Sequence, residues 1–342
     1  MFVPVISMEG SPLMPTTSRR ARILLSARKA VAFWSRGVFC VRMRVPTQNK
    51  VQSVAVGVDP GSKKEGYTVK SESHTYLNIQ SDAVQHVGRA VDSRRYARQS
   101  RRYRNTPCRR QRSNRKHSGS TIPPSTLARW QLKLNVCKWL KRLFPVTEVA
   151  VEDVSARTVA GTSRWNVSFS PLMVGKNWFY AELTKVFTLT TYQGYDTHEM
   201  RRSAGLKKST AKLANRFDSH CVDSWVLANA IVGGHVTPDN MDMVLLTPKV
   251  IHRRQLQRFQ PSTGGERQPY GGSRSLGLKR GSDVLFRGET VCYVGGSSNG
   301  RLSLHHVSTG RRFTQSAKPE ECCFISYNPW RVRPVPESDK HR

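Results

Sequence analysis

Residues 54–69 read VAVGVDPGSKKEGYTV: an apolar run delivers a single carboxylate, Asp59, and is broken at once by Pro60 and Gly61. A second strand-like run, Gly66 to Val69, follows. Asp-Pro-Gly is good turn chemistry, so the stretch reads as a hairpin. An acid carried to the end of a sheet's first strand also reads as a metal ligand. Both readings stand on these residues alone.

Working outward, the chain has 342 residues, room for two or three compact units. Its 56 Lys and Arg against 23 Asp and Glu give a formal net charge of +33. Such an excess draws polyanions, with binding that weakens steeply in salt. A membrane surface is anionic too, but no apolar run approaches the roughly 20 residues needed to span a bilayer. Nor does any amphipathic helix with lipid-facing aromatics stand out. The first residues, MFVPVISMEGSPLMP, lack the basic start and long apolar stretch of a signal peptide. Seven cysteines, an odd number, argue for a reducing cytoplasm rather than a disulfide frame. Cys322 and Cys323 are adjacent and no CxxC pair exists, so a zinc knuckle is not expected. Nucleic acid is the partner the composition favours.

The charge is uneven. From Ser93 to Thr147 there is no Asp or Glu, and the centre of that stretch reads SRRYARQSRRYRNTPCRRQRSNRKHSGS. Helical spacing puts Arg94, Arg98 and Arg101 on one side, with Arg95 and Arg102 beside them and Arg104 following. Pro107 limits that helix, and Arg109, Arg110, Arg112, Arg115 and Lys116 continue beyond it without clear periodicity. A solvated charge run is the plain alternative. Tyr96 and Tyr103 among the arginines, and the cost of unneutralised self-repulsion, favour nucleic-acid contact.

VAVGVDP, EGYTVKS and HTYLNIQ read as a three-strand meander. Leu127 to Phe144 has helix periodicity through Trp130, Leu134, Cys137 and Leu140 or Lys141. VTEVAVED at 146–153 is an apolar strand ending in acid. A helix at Trp178 to Phe187, a strand at TLTTYQG and a helix from Arg216 through Ala230 follow. Strands and then alternating helix and strand predict an α/β chain with a mixed sheet of the ribonuclease H kind, ending near Gly233-Gly234. Residues 253–274 are basic, polar and glycine-rich, either a linker or an RNA-docking segment. DVLFR, ETVCYVG, RLSLHHV, RRFTQSA and CCFISYNPW predict a small C-terminal β-barrel.

Asp59 and Glu152 each close a strand, and His220 and Asp223 lie three apart on a predicted helix face. Strands about 4.8 Å apart bring their end acids together, and a helix packed there adds Asp223. Carboxylate oxygens suit magnesium, and two ions would clamp a scissile phosphate. Asp59 would bridge them, Glu152 and Asp223 would each hold one, and His220 would take a proton from the attacking water. Each residue also has a plainer reading: Glu152 as a cap, His220 as a structural histidine, Asp223 as the partner of an arginine.

The order strand-Asp, strand-Glu, helix-HxxD resembles the split RuvC nuclease domain. VAVGVDPGSKKEGY is similar to its first motif, VAVEDV to its second and HCVDSWVLA to its third. The arginine-rich run resembles the bridge helix of RNA-guided nucleases. SPLMPTTSRRARILLSARKA at 11–30 is similar to the PLMP element that opens the IscB family of transposon-encoded nucleases. Only residues 153–219 separate Glu152 from His220, and His198 is the only histidine among them, so an inserted HNH domain is not expected. The pattern therefore resembles IsrB, the HNH-lacking branch.

The resemblance implies an RNase H-like (RuvC) sheet split by a bridge helix, and a division of the chain into six parts. These are a PLMP element (1–50), RuvC motif I (51–88), the bridge helix (89–120), RuvC motifs II and III (121–234), a guide-RNA-docking segment (235–280) and a β-barrel reading the target-adjacent motif (281–342). It implies a monomer in a cytoplasmic prokaryotic ribonucleoprotein with a guide RNA (ωRNA), nicking the non-target strand of duplex DNA. The implied metal ligands are Asp59, Glu152 and Asp223, with Mg2+ or a substituting Mn2+, and His220 beside them. The implied RNA contacts are the bridge arginines and the basic segment holding Arg253 and Arg254. A non-catalytic RNA-binding protein explains the charge but not the order of the acids. A guide-free, structure-selective nuclease explains the acids but not the PLMP element or the C-terminal extension.

Overall fold

The computed structural model describes residues 2–48, 50–105, 122–156, 170–251, 259–260, 265–266 and 273–335. The chain opens with β1 (Phe2–Ile6), β2 (Pro12–Thr17), α1 (Ser18–Ser26), β3 (Ala30–Ser35) and β4 (Val38–Met43). These strands form a four-stranded sheet of order β2-β1-β4-β3. Thr17 caps α1 through a hydrogen bond from Arg20 N, and Ala21 turns inward onto Val3, Val5, Leu13 and Val41.

The large sheet follows: β5 (Val54–Asp59), β6 (Lys64–Ser71) and β7 (Thr75–Asp82) make the expected antiparallel meander. After α2 (His86–Tyr103) and α3 (Pro124–Leu143), β8 (Val146–Asp153) adds parallel to β5. Then come α4 (Pro171–Thr184) and β9 (Thr188–Gln193), parallel to β8. α5 (Gly194–Ser203), a π turn at Phe217–Cys221 and α6 (Val222–Val232) complete this part. β5 is buried along its whole length because both faces are covered. Val54, Val56 and Val58 join the main core with Trp130, Leu134, Cys137 and Leu140 of α3, while α6 lies on the other face.

Several expectations needed correction. The sheet does not end at Gly233-Gly234. β10 (Met243–Pro248) pairs in parallel with β7, and β20 (Trp330–Pro334) pairs antiparallel with β10. The result is a seven-stranded mixed sheet of order β20-β10-β7-β6-β5-β8-β9. The helix expected at Trp178–Phe187 starts seven residues earlier, at Pro171, where Ser170 caps it and proline suits its first turn. α5 was not expected at all; its polar sequence GYDTHEMRRS buries only Thr197.

Two short ladders, β11 (Phe259–Gln260) with β12 (Gly265–Glu266) and β13 (Arg274–Ser275) with β14 (Leu278–Lys279), precede the C-terminal unit. That unit contains β15 (Ser282–Phe286), β16 (Thr290–Ser298), β17 (Arg301–His306), β18 (Arg312–Ala317) and β19 (Cys322–Tyr327). Their order is β18-β17-β16-β15-β19, a five-stranded antiparallel sheet around Val284, Cys292, Val294, Leu302 and Leu304. Its outer strands β18 and β19 do not pair with each other, so the described ladders stop short of the closed barrel expected. CCFISYNPW is not one strand either. It breaks after Tyr327, and Trp330 begins the strand that returns to the main sheet.

Candidate active site

The register brings the two strand-end acids together. Val58 pairs with Val151, so Asp59 and Glu152 leave neighbouring parallel strands side by side. The third acid arrives because α6 sits almost on the backbone of β5 and β6. A Cβ at Gly57 would lie 1.8 Å from Ser224 O, and one at Gly66 would lie 2.3 Å from His220 O. Only glycine permits that approach. Thr68 Oγ1 meets Ser224 Oγ at 2.8 Å and fixes the helix along its axis. The π turn, closed by Val222 N bonding to Phe217 O, then presents His220 and Asp223 to the strand ends. One ligand atom from each of Asp59, Glu152 and Asp223 lies within 4.8 Å of the others.

The charges are strongly coupled. His220 Nδ1 is 2.9 Å from Asp59 Oδ2, and its Nε2 is 2.9 Å from the Lys212 carbonyl. Both ring nitrogens therefore face protein oxygens. In this geometry His220 clamps Asp59 and both its nitrogens are directed at protein oxygens, so the expected proton acceptor is already engaged. Burial pushes Asp59 up, but the hydrogen bond from His220 and the charge of Lys208 outweigh it and hold the carboxyl below its usual range. Burial, the Asp59 charge and a hydrogen bond to Asp59 push Glu152 the other way, up to about 8. Asp59 is thus the ionised member of the pair and Glu152 the protonated one.

Two cations enter from a segment that sequence reasoning left unassigned. Arg201, in the last turn of α5, bonds to Asp223 Oδ1, and Lys208 bonds to Asp223 Oδ2. Lys208 Nζ also stands 3.8 Å from Asp59 Oδ2. No spacing rule links these residues to the acids; only the missed helix α5 carries Arg201 there. The donor set fits a hard divalent cation, since carboxylates from three elements converge and already attract internal cations to their centre.

Further contacts hold the frame. Asp153, next to Glu152, accepts from Lys176 Nζ at 2.6 Å, Tyr180 Oη at 2.9 Å and Gln193 Nε2 at 3.0 Å. This ties the end of β8 to α4 and β9. Below β6, Glu65 is fully buried with Lys133 Nζ at 2.6 Å and Tyr67 Oη at 2.6 Å.

The arginines expected to bind nucleic acid divide in two. Arg94, Arg95, Arg98, Arg101 and Arg102 lie on α2, which buries none of its side chains, and Arg104 caps its end. Arg94 Nε and Arg98 Nε bond back to the carbonyls of Ala90 and Arg94, and Tyr96 and Tyr103 are exposed. Arg109, Arg110, Arg112, Arg115, Lys116, Arg253 and Arg254 lie outside the described residues.

A family model described as RRXRR protein matches residues 3–163, which include Asp59 and Glu152 but not His220 or Asp223. Among solved structures, the chain is similar to T. thermophilus RuvC in complex with a Holliday junction substrate. Identity is 12%, the TM-score is 0.28, and the match covers 53% of this chain and 97% of that one. It is also similar to the yeast mitochondrial Holliday junction resolvase Ydc2. Identity there is 15%, the TM-score 0.25, and coverage 52% of this chain and 76% of that one. No curated protein matches the chain. No helix among the described residues is long and apolar enough to cross a membrane.

Proposed function

We propose that this chain is the protein component of an RNA-guided DNA nickase of the IsrB kind, with Asp59, Glu152 and Asp223 as ligands for magnesium. The observation that carries the reading is the convergence of those carboxylates from β5, β8 and α6 within 4.8 Å. A magnesium ion held there would supply a polarised phosphate and an activated water for phosphodiester hydrolysis. Asp59, kept ionised at the strand end, is the ligand ready for it, and Glu152 would release its proton on joining. His220 would orient Asp59 through Nδ1; serving as proton acceptor would require its bond to the Lys212 carbonyl to open.

Guidance by RNA is supported by three features together: the exposed arginine helix α2, the PLMP strand β2 and the RRXRR match across the first part of the chain. The α2 arginines would hold an RNA or an RNA–DNA duplex by its backbone, leaving sequence to base pairing. The C-terminal sheet would lie against the flanking duplex, and the basic 253–274 segment would dock a stem of the RNA. With only residues 153–219 between Glu152 and His220, an inserted second nuclease domain is not expected there, and one strand would be cut.

The test is to co-express the chain with its native flanking locus, sequence the RNA that copurifies, and offer a supercoiled plasmid carrying the matching target beside a randomised flank. RNA of defined size and open-circle product that needs the match are the expected results. Cleavage of branched DNA without RNA would replace the guided reading with a structure-selective nuclease. RNA-dependent DNA binding without cleavage would leave a binder whose acid cluster is a structural ion network.

A further inference from the structure

The acid cluster is not bare. Arg201 takes one oxygen of Asp223, while Lys208 takes the other and reaches towards Asp59. Lys208 is the only one of the two that faces both buried acids, so its ammonium stands between an oxygen of Asp59 and one of Asp223. It is not a wandering surface side chain. The segment that carries it is tied down at Leu206 N to Arg201 O (2.9 Å), Ser209 N to Asp218 O (2.9 Å), Ser219 Oγ to Ala211 O (3.2 Å) and Gln80 Nε2 to Ala214 O (2.9 Å). Its side chain is 28% exposed, against 2% for Asp223 and 8% for Asp59.

Charge balance says what must happen when an ion arrives. Two permanent cations, Arg201 and Lys208, already oppose three carboxylates, leaving at most one net negative charge. A divalent ion added to that set would leave uncompensated positive charge in a buried place, which is strongly unfavourable. One resident cation has to leave. Arg201 sits on the other oxygen of Asp223 and also meets His198 Nδ1 at 3.1 Å, so a partner holds it in place. Lys208 has a single long stem, partial access to solvent and the central position.

Resting on the reading of these acids as metal ligands, we propose that Lys208 is the resident counter-cation of the metal site: it occupies the position between Asp59 and Asp223 in the unloaded protein and is displaced by the divalent ion. Lys208 therefore holds the acids together without metal and weakens metal binding by competing for the same oxygens. The residue is a positioning residue, acting on the ligands rather than on substrate.

The experiment is calorimetric titration of Mn2+ into the full chain, comparing wild type with Lys208→Ala, Lys208→Met, Lys207→Ala and Asp59→Asn. Lys207 is the exposed neighbour and controls for loss of one charge; Lys208→Met keeps the stem packing if the alanine variant folds poorly. Removing the competitor is expected to tighten Mn2+ binding about tenfold or more, a size set by one unit charge a few ångströms away in a partly screened site. Lys207→Ala should stay within about twofold of wild type, since an exposed charge is screened. In chelator, both Lys208 variants should melt below wild type. Equal or weaker Mn2+ binding in both Lys208 variants overturns the proposal while leaving the metal site intact. Binding unchanged in Asp59→Asn, or absent from every variant and wild type, overturns the metal reading beneath it.

Discussion

Glu152 is held in the folded chain with its proton on, and that has a measurable consequence. Its burial beside the charge of Asp59 raises it to about 8, whereas in the unfolded chain it titrates in the ordinary carboxylate range. Between those values the folded state binds the extra proton, so the stability of the metal-free protein falls as pH rises through that window. On the proposed reading magnesium would compete for the same carboxylate, so the thermal shift it produces should grow from pH 6 to about pH 8.5 and then level off. Melting curves with and without Mg2+ across that range check both trends, and Glu152→Gln should flatten both. Asp59 and Glu152 were legible in the sequence because a carboxylate closing an apolar strand stands out in so basic a chain, and Asp223 because it follows His220 by three in an apolar helical run. Lys208 and Arg201 were not legible: basic residues are everywhere in this sequence, and only the fold says which of them reach an acid. The role foreseen for His220 required a free ring nitrogen, and Lys212 O, eight residues away in a segment without periodicity, takes it.

At the scale of elements, the site depends on how closely α6 approaches the sheet. Gly57→Ala would drive a methyl group into Ser224 O, and the helix could yield only by moving Asp223 away from Asp59. We expect a loss of about 3 kcal/mol in stability, the upper part of the overpacking range, read by chemical denaturation. Metal affinity should fall with it; unchanged stability would mean that α6 has slack the close contact denies. The meander, α3, β8 and α6 were readable because their apolar residues recur at two or at three and four positions. β10 and β20 were not. MVLLTP is a short apolar run after a glycine pair, and WRVRP carries alternate arginines that hide its sheet pairing. Neither names its partner, since β10 pairs with a strand more than 160 residues earlier. α5 hid for the opposite reason: with one buried residue its pattern is that of a loop, and it is held by Asp196 bonding back to Gln193 N at 2.8 Å.

For the whole molecule, a formal charge of +33 without a ligand is a large self-repulsion, and polyanion binding should relieve it. If α2 holds RNA as proposed, replacing Arg94, Arg98 and Arg101 together by Gln should lower the slope of log RNA affinity against log salt by about 2 to 3. A slope that does not change would remove α2 from the interface, whatever happens to overall affinity. The return of β20 into the main sheet, beside the buried Lys249–Asp283 pair at 2.6 Å, ties the C-terminal unit to the strands that carry the acids. The central claim nevertheless rests on three carboxylates, and its most direct test is Mg2+-dependent conversion of supercoiled target plasmid to open circle by wild type and by Asp59→Ala, each purified with its RNA and matched for fold and RNA content. The account predicts open-circle product from wild type, none in chelator, and a rate at least about a thousandfold lower for Asp59→Ala, the scale of losing one essential group at a metal-assisted site. Nicking by Asp59→Ala at the wild-type rate would contradict it and return Asp59 to the chemistry of a turn.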